Sequence, residues 1–212
     1  MTRLKPTLTP RKTPVQARST HTVDAIFEAC IQVLTDVGGQ RFNTTRVAER
    51  AGVSVGTLYQ YFPHKQALLA AVLERHLSKV VDAVAQACSL VKGQTTEVMA
   101  QAIVAAFVSA KFAQPDASRA LYAVAAEVGG TELVARLTQR AQLNLCELLA
   151  TASDFRFDEL TTVSYVLSTA VIGPVQGLLV SQASPAVVNA VGKHLAAMVS
   201  AYLAAIGSGA KR

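Results

Sequence analysis

Apolar residues recur at helical spacing along almost the whole chain. Val23, Ile26, Phe27, Cys30, Val33 and Leu34 lie three and four positions apart. That spacing predicts an amphipathic helix over about 19–36, stopped by Gly38-Gly39. A longer stripe, Leu68, Leu69, Val72, Leu73, Leu77, Val80, Val81 and Val84, follows Pro63. It predicts a helix from about 64 to 91, ended by Lys92-Gly93-Gln94. Further helices are expected at about 96–113, 116–127, 131–152, 158–182 and 185–206. Gln114-Pro115, Gly129-Gly130, a loop at 154–158 and Ser184-Pro185 divide them. No segment alternates with the period of a strand, so the expectation is an all-α chain of nine helices.

Residues 44–65, TTRVAERAGVSVGTLYQYFPHK, carry two of those helices and most of the functional information. Asn43 is suited to cap the first, because its side-chain oxygen can accept from a free amide of the opening turn. Phe42 and Val47 stand at the two positions of a hydrophobic staple. Val47, Ala48 and Ala51 form an inward face, leaving Arg46, Glu49 and Arg50 outward. Gly52 can enter the left-handed conformation that ends a helix, and Ser54 caps the next. In Val55–Phe62, Leu58 and Phe62 face inward, whereas Val55, Gly56, Thr57, Tyr59, Gln60 and Tyr61 form the outer set. Gly56 costs about 1 kcal/mol of helix propensity relative to Ala, a cost that close approach to DNA would offset. Helix, tight turn and second short helix are how a helix-turn-helix presents a recognition helix to the major groove.

AGVSVGTLYQYFPHK, preceded by Ala17-Arg18 and the helix through Asp36, resembles the DNA-binding domain of TetR-type (TetR/AcrR) transcriptional repressors. The resemblance covers roughly residues 15–70. Phe42 stands where the family usually has Thr before the cap, a departure that alters the entry geometry slightly. The resemblance implies that Thr45, Thr57, Tyr59, Tyr61 and Lys65 contact phosphates or nearby bases, with Val55, Gly56 and Gln60 against base edges. With Thr44, Arg46 and Ser54 these form the expected DNA-binding set. Beyond residue 90 the likeness is to the family's architecture: a six-helix body that binds an effector and dimerises.

Charge supports that division. Residues 1–65 hold nine Lys/Arg against four Asp/Glu, a net of +5, whereas residues 66–212 hold eleven against ten, a net of +1. The basic excess thus lies at the helix-turn-helix end, as a phosphate-binding surface requires. MTRLKPTLTPRKTPVQAR, residues 1–18, has five Lys/Arg, three prolines, no acid and no apolar signal-peptide core. It reads as a disordered basic arm, either following DNA or entering its minor groove, or as a bare flexible tail. The expected organisation is an arm at 1–18, a DNA-binding domain at 19–65, an effector-binding and dimerisation domain at 66–206 and a flexible tail at 207–212.

Residues 160–192 contain no charged side chain. Pro174, glutamines, glycines and many Ser/Thr interrupt the stretch and no basic cluster flanks it, so a membrane span is not expected. A soluble helix pair with so few charges must instead bury both flanks, one against its own domain and the other against a second copy. Ala170, Gly173, Gly177, Ala190, Ala197 and Ala201 would permit close helix approach, where the resemblance places a four-helix dimer interface.

Little else points to chemistry. Cys30, Cys88 and Cys146 are far apart and show no zinc spacing, so reduced thiols in a cytoplasmic protein are expected. His21, His64, His76 and His194 build no metal site. His64 is expected beside phosphates or capping the long helix, and His76 on the surface. No catalytic constellation, cofactor motif or phosphate-cradling loop is found. By resemblance the body encloses an effector cavity, for which Met99, Phe107, Phe112, Tyr122, Leu143 and Tyr165 are the candidate lining. The paucity of body charges favours an uncharged or weakly polar organic ligand. The preferred function is a homodimeric repressor released from a palindromic operator by such an effector. The alternative is a helical enzyme or carrier acting on a small hydrophobic molecule.

Overall fold

The computed structural model describes residues 17–209, which form nine α-helices. They are α1 (Ala17–Arg41), α2 (Thr44–Ala51), α3 (Val55–Tyr61), α4 (Lys65–Leu90), α5 (Thr96–Phe112), α6 (Pro115–Val124), α7 (Gly130–Leu149), α8 (Leu160–Val180) and α9 (Pro185–Ile206). A single 3₁₀ turn, Ala125–Val128, follows α6. The expected arm, up to the opening of α1, and the last three residues of the tail lie outside the described residues. Regular helix in α1 is interrupted at Gly38, whose φ of 70° and ψ of 170° break the ladder where the glycine pair predicted.

The chain divides into two compact units. The first holds residues up to His76 together with Asp116–Leu133. The second holds Leu77–Pro115 and the chain from Val134 onward. The division differs from the expected boundary after residue 65: α4 and α7 each contribute to both units, and α6 belongs with the first. Contacts far apart in sequence are responsible. Val124 lies so close to Gly39 that a Cβ there would sit 2.7 Å from the valine methyl. His76, expected on the surface, is buried, and its Nε2 lies 2.9 Å from the buried Ser118 hydroxyl on α6. Its position on the apolar stripe of α4, together with a partner forty-two residues away, explains the correction.

The second unit has an aliphatic core. Met99, Val104, Leu148, Leu167, Val175 and Leu203 are among its buried residues, drawn from α5, α7, α8 and α9. Its edge carries two short strands the periodicity did not predict, Phe155-Arg156 paired antiparallel with Ser208-Gly209. The start of the expected flexible tail is therefore ordered. Gly207 permits this, because a Cβ there would lie 2.7 Å from Phe155. All three cysteines are free thiols. Burial pushes the Cys88 thiol up to about 11 and raises Cys30 further, which keeps both protonated.

Helices α8 and α9 are long and apolar enough, by length and composition, to cross a membrane. Only 33% of the most apolar stretch of α8 and 22% of that of α9 is buried. Val163, Leu167, Val171 and Val175 of α8 and Leu195, Val199 and Leu203 of α9 point into the core. The opposite faces, with Tyr165, Val166, Val180, Val187, Met198 and Ile206, are exposed.

Candidate nucleic-acid interface and ligand cavity

The first unit builds the helix-turn-helix from local signals. The Asn43 side chain accepts from the Arg46 amide at 2.9 Å, capping α2. Phe42 and Val47 are both buried beside it, as a staple requires. Gly52 has φ 67° and ψ 29°, and its amide reaches the carbonyls of Ala48 and Glu49. That left-handed residue turns the chain within a few positions. Ser54 Oγ then accepts from the Thr57 amide at 2.9 Å and pairs with the Thr57 hydroxyl at 2.8 Å. Leu58 and Phe62 anchor α3 inward, with the Phe62 ring 5.6 Å from that of Phe27 on α1.

The expected DNA-facing residues separate into three groups. Thr45, Arg46, Ser54, Gly56, Tyr59 and Gln60 are exposed, and Val55, Thr57 and Tyr61 are half-buried. Thr44 is turned inward instead, only 8% exposed, with its hydroxyl 2.9 Å from that of Tyr59. The expected DNA contact is thus met by an inward-turned side chain whose bond ties α2 to α3 away from the turn. Lys65 is half-buried. Its ammonium donates to the Gly39 carbonyl at 3.2 Å and lies 5.4 Å from the centre of the Phe42 ring. Two further contacts were not anticipated. Arg50 pairs with Asp36 at 2.6 Å, joining α2 to α1. Arg75 pairs with Asp24 and lies over the Phe27 ring. Their partners are fourteen and fifty-one residues away, beyond the reach of a local pattern. His64 caps α4, its Nδ1 accepting from the Ala67 amide at 3.1 Å.

The expected ligand-lining residues do not converge. Leu143 and Tyr165 are 59% and 60% exposed. Tyr122 lies on α6 in the first unit. Met99 is fully buried in the second-unit core, with Phe112 packed against it. Phe107 lines a cavity of about 70 Å³ inside the second unit. Its buried walls are Val84, Val104, Leu145, Leu167, Val171 and Val199. Ile103, Phe107, Ala141, Ser168 and Ile172, all half-buried, form its outer side. The walls expose no polar surface. The aliphatic lining went unnoticed because, in sequence, such residues look the same as closed core.

Among the expected interface residues, Gly173, Gly177, Ala190, Ala197 and Ala201 are exposed, and Ala170 is half-buried. A Cβ added at Gly173 or Gly177 would meet nothing within 4 Å. Ala197 and Ala201 also border an open groove of about 690 Å³ with Glu97, Gln101 and Lys193. Among the described residues no group of three His, Cys, Asp or Glu side chains could hold a metal ion.

Comparison with known proteins accords with this geometry. The family model described as bacterial regulatory proteins, tetR family, matches residues 26–72. The model for the tetracyclin repressor-like C-terminal domain matches residues 95–203. The class C tetracycline repressor of Escherichia coli is 40% identical over 55 residues, 26% of this chain and 25% of its own length. The transcriptional activator FasR of Mycolicibacterium smegmatis is 42% identical over 59 residues, 28% of this chain and 27% of its own. The matched segment thus spans about a quarter of these curated relatives. A solved chain from Mesorhizobium loti, assigned to the TetR-family regulators, superposes with a TM-score of 0.73 at 17% identity, covering 91% of this chain and 100% of its own. At that identity it speaks to the fold alone. One model matches the helix-turn-helix and the other matches about half of the whole chain, so this chain belongs to the TetR family of bacterial transcriptional regulators.

Proposed function

We propose that the protein is a cytoplasmic, homodimeric, sequence-specific DNA-binding regulator whose hold on a palindromic operator is loosened by a small organic effector. The observation that carries this reading is the exposed outer face of α3, with Gly56, Tyr59 and Gln60, on a helix fixed by its cap, by Leu58 and by the Thr44–Tyr59 bond. Gly56 lets the backbone come near base edges, while Thr45 and Arg46 at the start of α2 reach for phosphates. The uncovered apolar faces of α8 and α9 support pairing with a second copy. Gln176, Asn189, Lys193 and His194 are also exposed on these two helices, which fits a protein partner better than hydrocarbon. Two copies related by a two-fold axis would read half-sites about one helical turn, roughly 34–36 Å, apart.

Release requires the effector to bind the non-operator conformation more tightly than the operator-bound one. Helices α4 and α7 each have residues in both units and are covalent paths by which such a change would travel. Coupling of this kind is typically about 1–3 kcal/mol and is reciprocal. The test is footprinting on selected DNA, followed by titration of a thermal-shift ligand with and without operator. A symmetric footprint and an effector weakened by DNA are expected. A non-symmetric footprint would overturn the dimeric operator reading, and equal effector affinity in both titrations would overturn the allosteric one.

A further inference from the structure

The apolar cavity of the second unit says more about its ligand than its location does. It is bounded by five helices, with Val84 from α4, Val104 from α5, Leu145 from α7, Val171 from α8 and Val199 from α9. Ser168 is its one polar lining residue, and that hydroxyl is already engaged. It donates to the Tyr165 carbonyl at 3.0 Å and accepts from the Gln142 amide at 3.1 Å. A polar or charged group entering this space would lose its water with nothing to replace it. An apolar group would lose nothing and gain contact with the aliphatic walls. Volume sets the second limit. A dry apolar cavity of roughly 150 Å³ holds benzene, so one of about 70 Å³ suits an end group of about three or four carbons. Because the outer side is formed by half-buried residues, the rest of a larger molecule can lie outside, beside Ser168 and Gln142.

We propose that this cavity recognises the short alkyl end, or an equally small apolar end, of an otherwise larger organic molecule, selecting it by size and by its apolar walls rather than by hydrogen bonds or charge. The proposal rests on the reading of the second unit as the effector-binding part, and it names the chemical class of that effector.

A series of straight-chain alcohols from 1-propanol to 1-octanol tests it on the full chain, with methyl NMR shifts at the lining valines and leucines as readout. Affinity should rise about fourfold per added methylene while the chain is being buried and level off near four carbons. 1,4-Butanediol, polar at both ends, should bind at least about tenfold more weakly than 1-butanol. Ala141→Leu should shorten the chain length at which affinity levels off, and Val171→Ala should lengthen it. If the leucine variant fails to fold, the alanine variant and the diol pair still decide. A steady rise through 1-octanol in every variant, a diol that binds as well as the alcohol, or no saturable shift would each overturn the proposal. None of these readouts needs DNA. Failure here with operator binding intact would sink only the ligand class. Saturable alcohol binding without operator binding would sink the regulator reading and leave the cavity assignment standing.

Discussion

Lys65 and Gln60 lie five positions apart and differ in what holds them. The Lys65 ammonium is already bonded to the Gly39 carbonyl and seated over Phe42, whereas Gln60 is exposed on the outer face of α3. Replacing each with Ala should therefore have distinct consequences. Gln60→Ala should leave stability within about 0.5 kcal/mol, as for an ordinary surface change, and alter base preference at one position per half-site. Lys65→Ala should weaken binding to all sequences, lower the salt slope by about 1 and also reduce stability by about 1 kcal/mol through the lost backbone bond. Binding measured at several salt concentrations, together with urea denaturation, checks both. A Lys65 variant with unaltered salt dependence would remove that residue from the phosphate contacts. At this scale the sequence was most legible where a side chain acts on its own turn, as at Asn43, Gly52 and Ser54. It was least legible for Thr44, whose hydroxyl partner is fifteen residues away.

Helix ends show the same dependence on distance. The stripe predicted α4 at about 64–91, and the helix runs Lys65–Leu90, because proline and glycine punctuate it locally. The start of α5 depends on a remote residue as well. Asp154, beyond α7, accepts from the Thr96 amide at 3.0 Å and from the buried Thr96 hydroxyl at 2.9 Å. A carboxylate at a helix N-terminus also faces the positive end of the helix dipole. Asp154→Ala removes both bonds and leaves buried donors without that acceptor, so it should cost about 2 kcal/mol. Chemical denaturation of the variant measures the loss, and an unchanged midpoint would show that the clasp contributes nothing. What periodicity could not supply was the use made of each helix. Val124 and Ser118 give α6 the profile of any amphipathic helix, and only their contacts with Gly39 and His76 assign it to the first unit. Cavity lining was hidden for a similar reason, since the spacing of Val104 and Val171 fits a closed core equally well.

For the whole molecule, the exposed apolar faces of α8 and α9 make association the central question. Gly177 offers a clean probe, because in the single chain an added Cβ meets nothing within 4 Å. Gly177→Arg should fold normally, with helix propensity improved by somewhat under 1 kcal/mol. It should nonetheless dissociate a dimer by placing a charge in a packed interface. Sedimentation at micromolar concentration is the measurement. A monomeric wild type, or a variant that remains dimeric, would defeat the α8–α9 interface. The division into units carries a consequence for recombination. The DNA-reading head is not one uninterrupted stretch of gene: Asp116–Leu133 returns to complete it, inserting Val124 beside Gly39 and Ser118 beside His76. A single crossover after α4, whether in a chimera or in natural gene shuffling, would join this head to a foreign α6. The hybrid would inherit the recognition helix intact while losing part of the packing beneath it. New specificities should therefore be easier to obtain by point changes on α3, or by two coordinated exchanges, than by swapping the first seventy-six residues as a block.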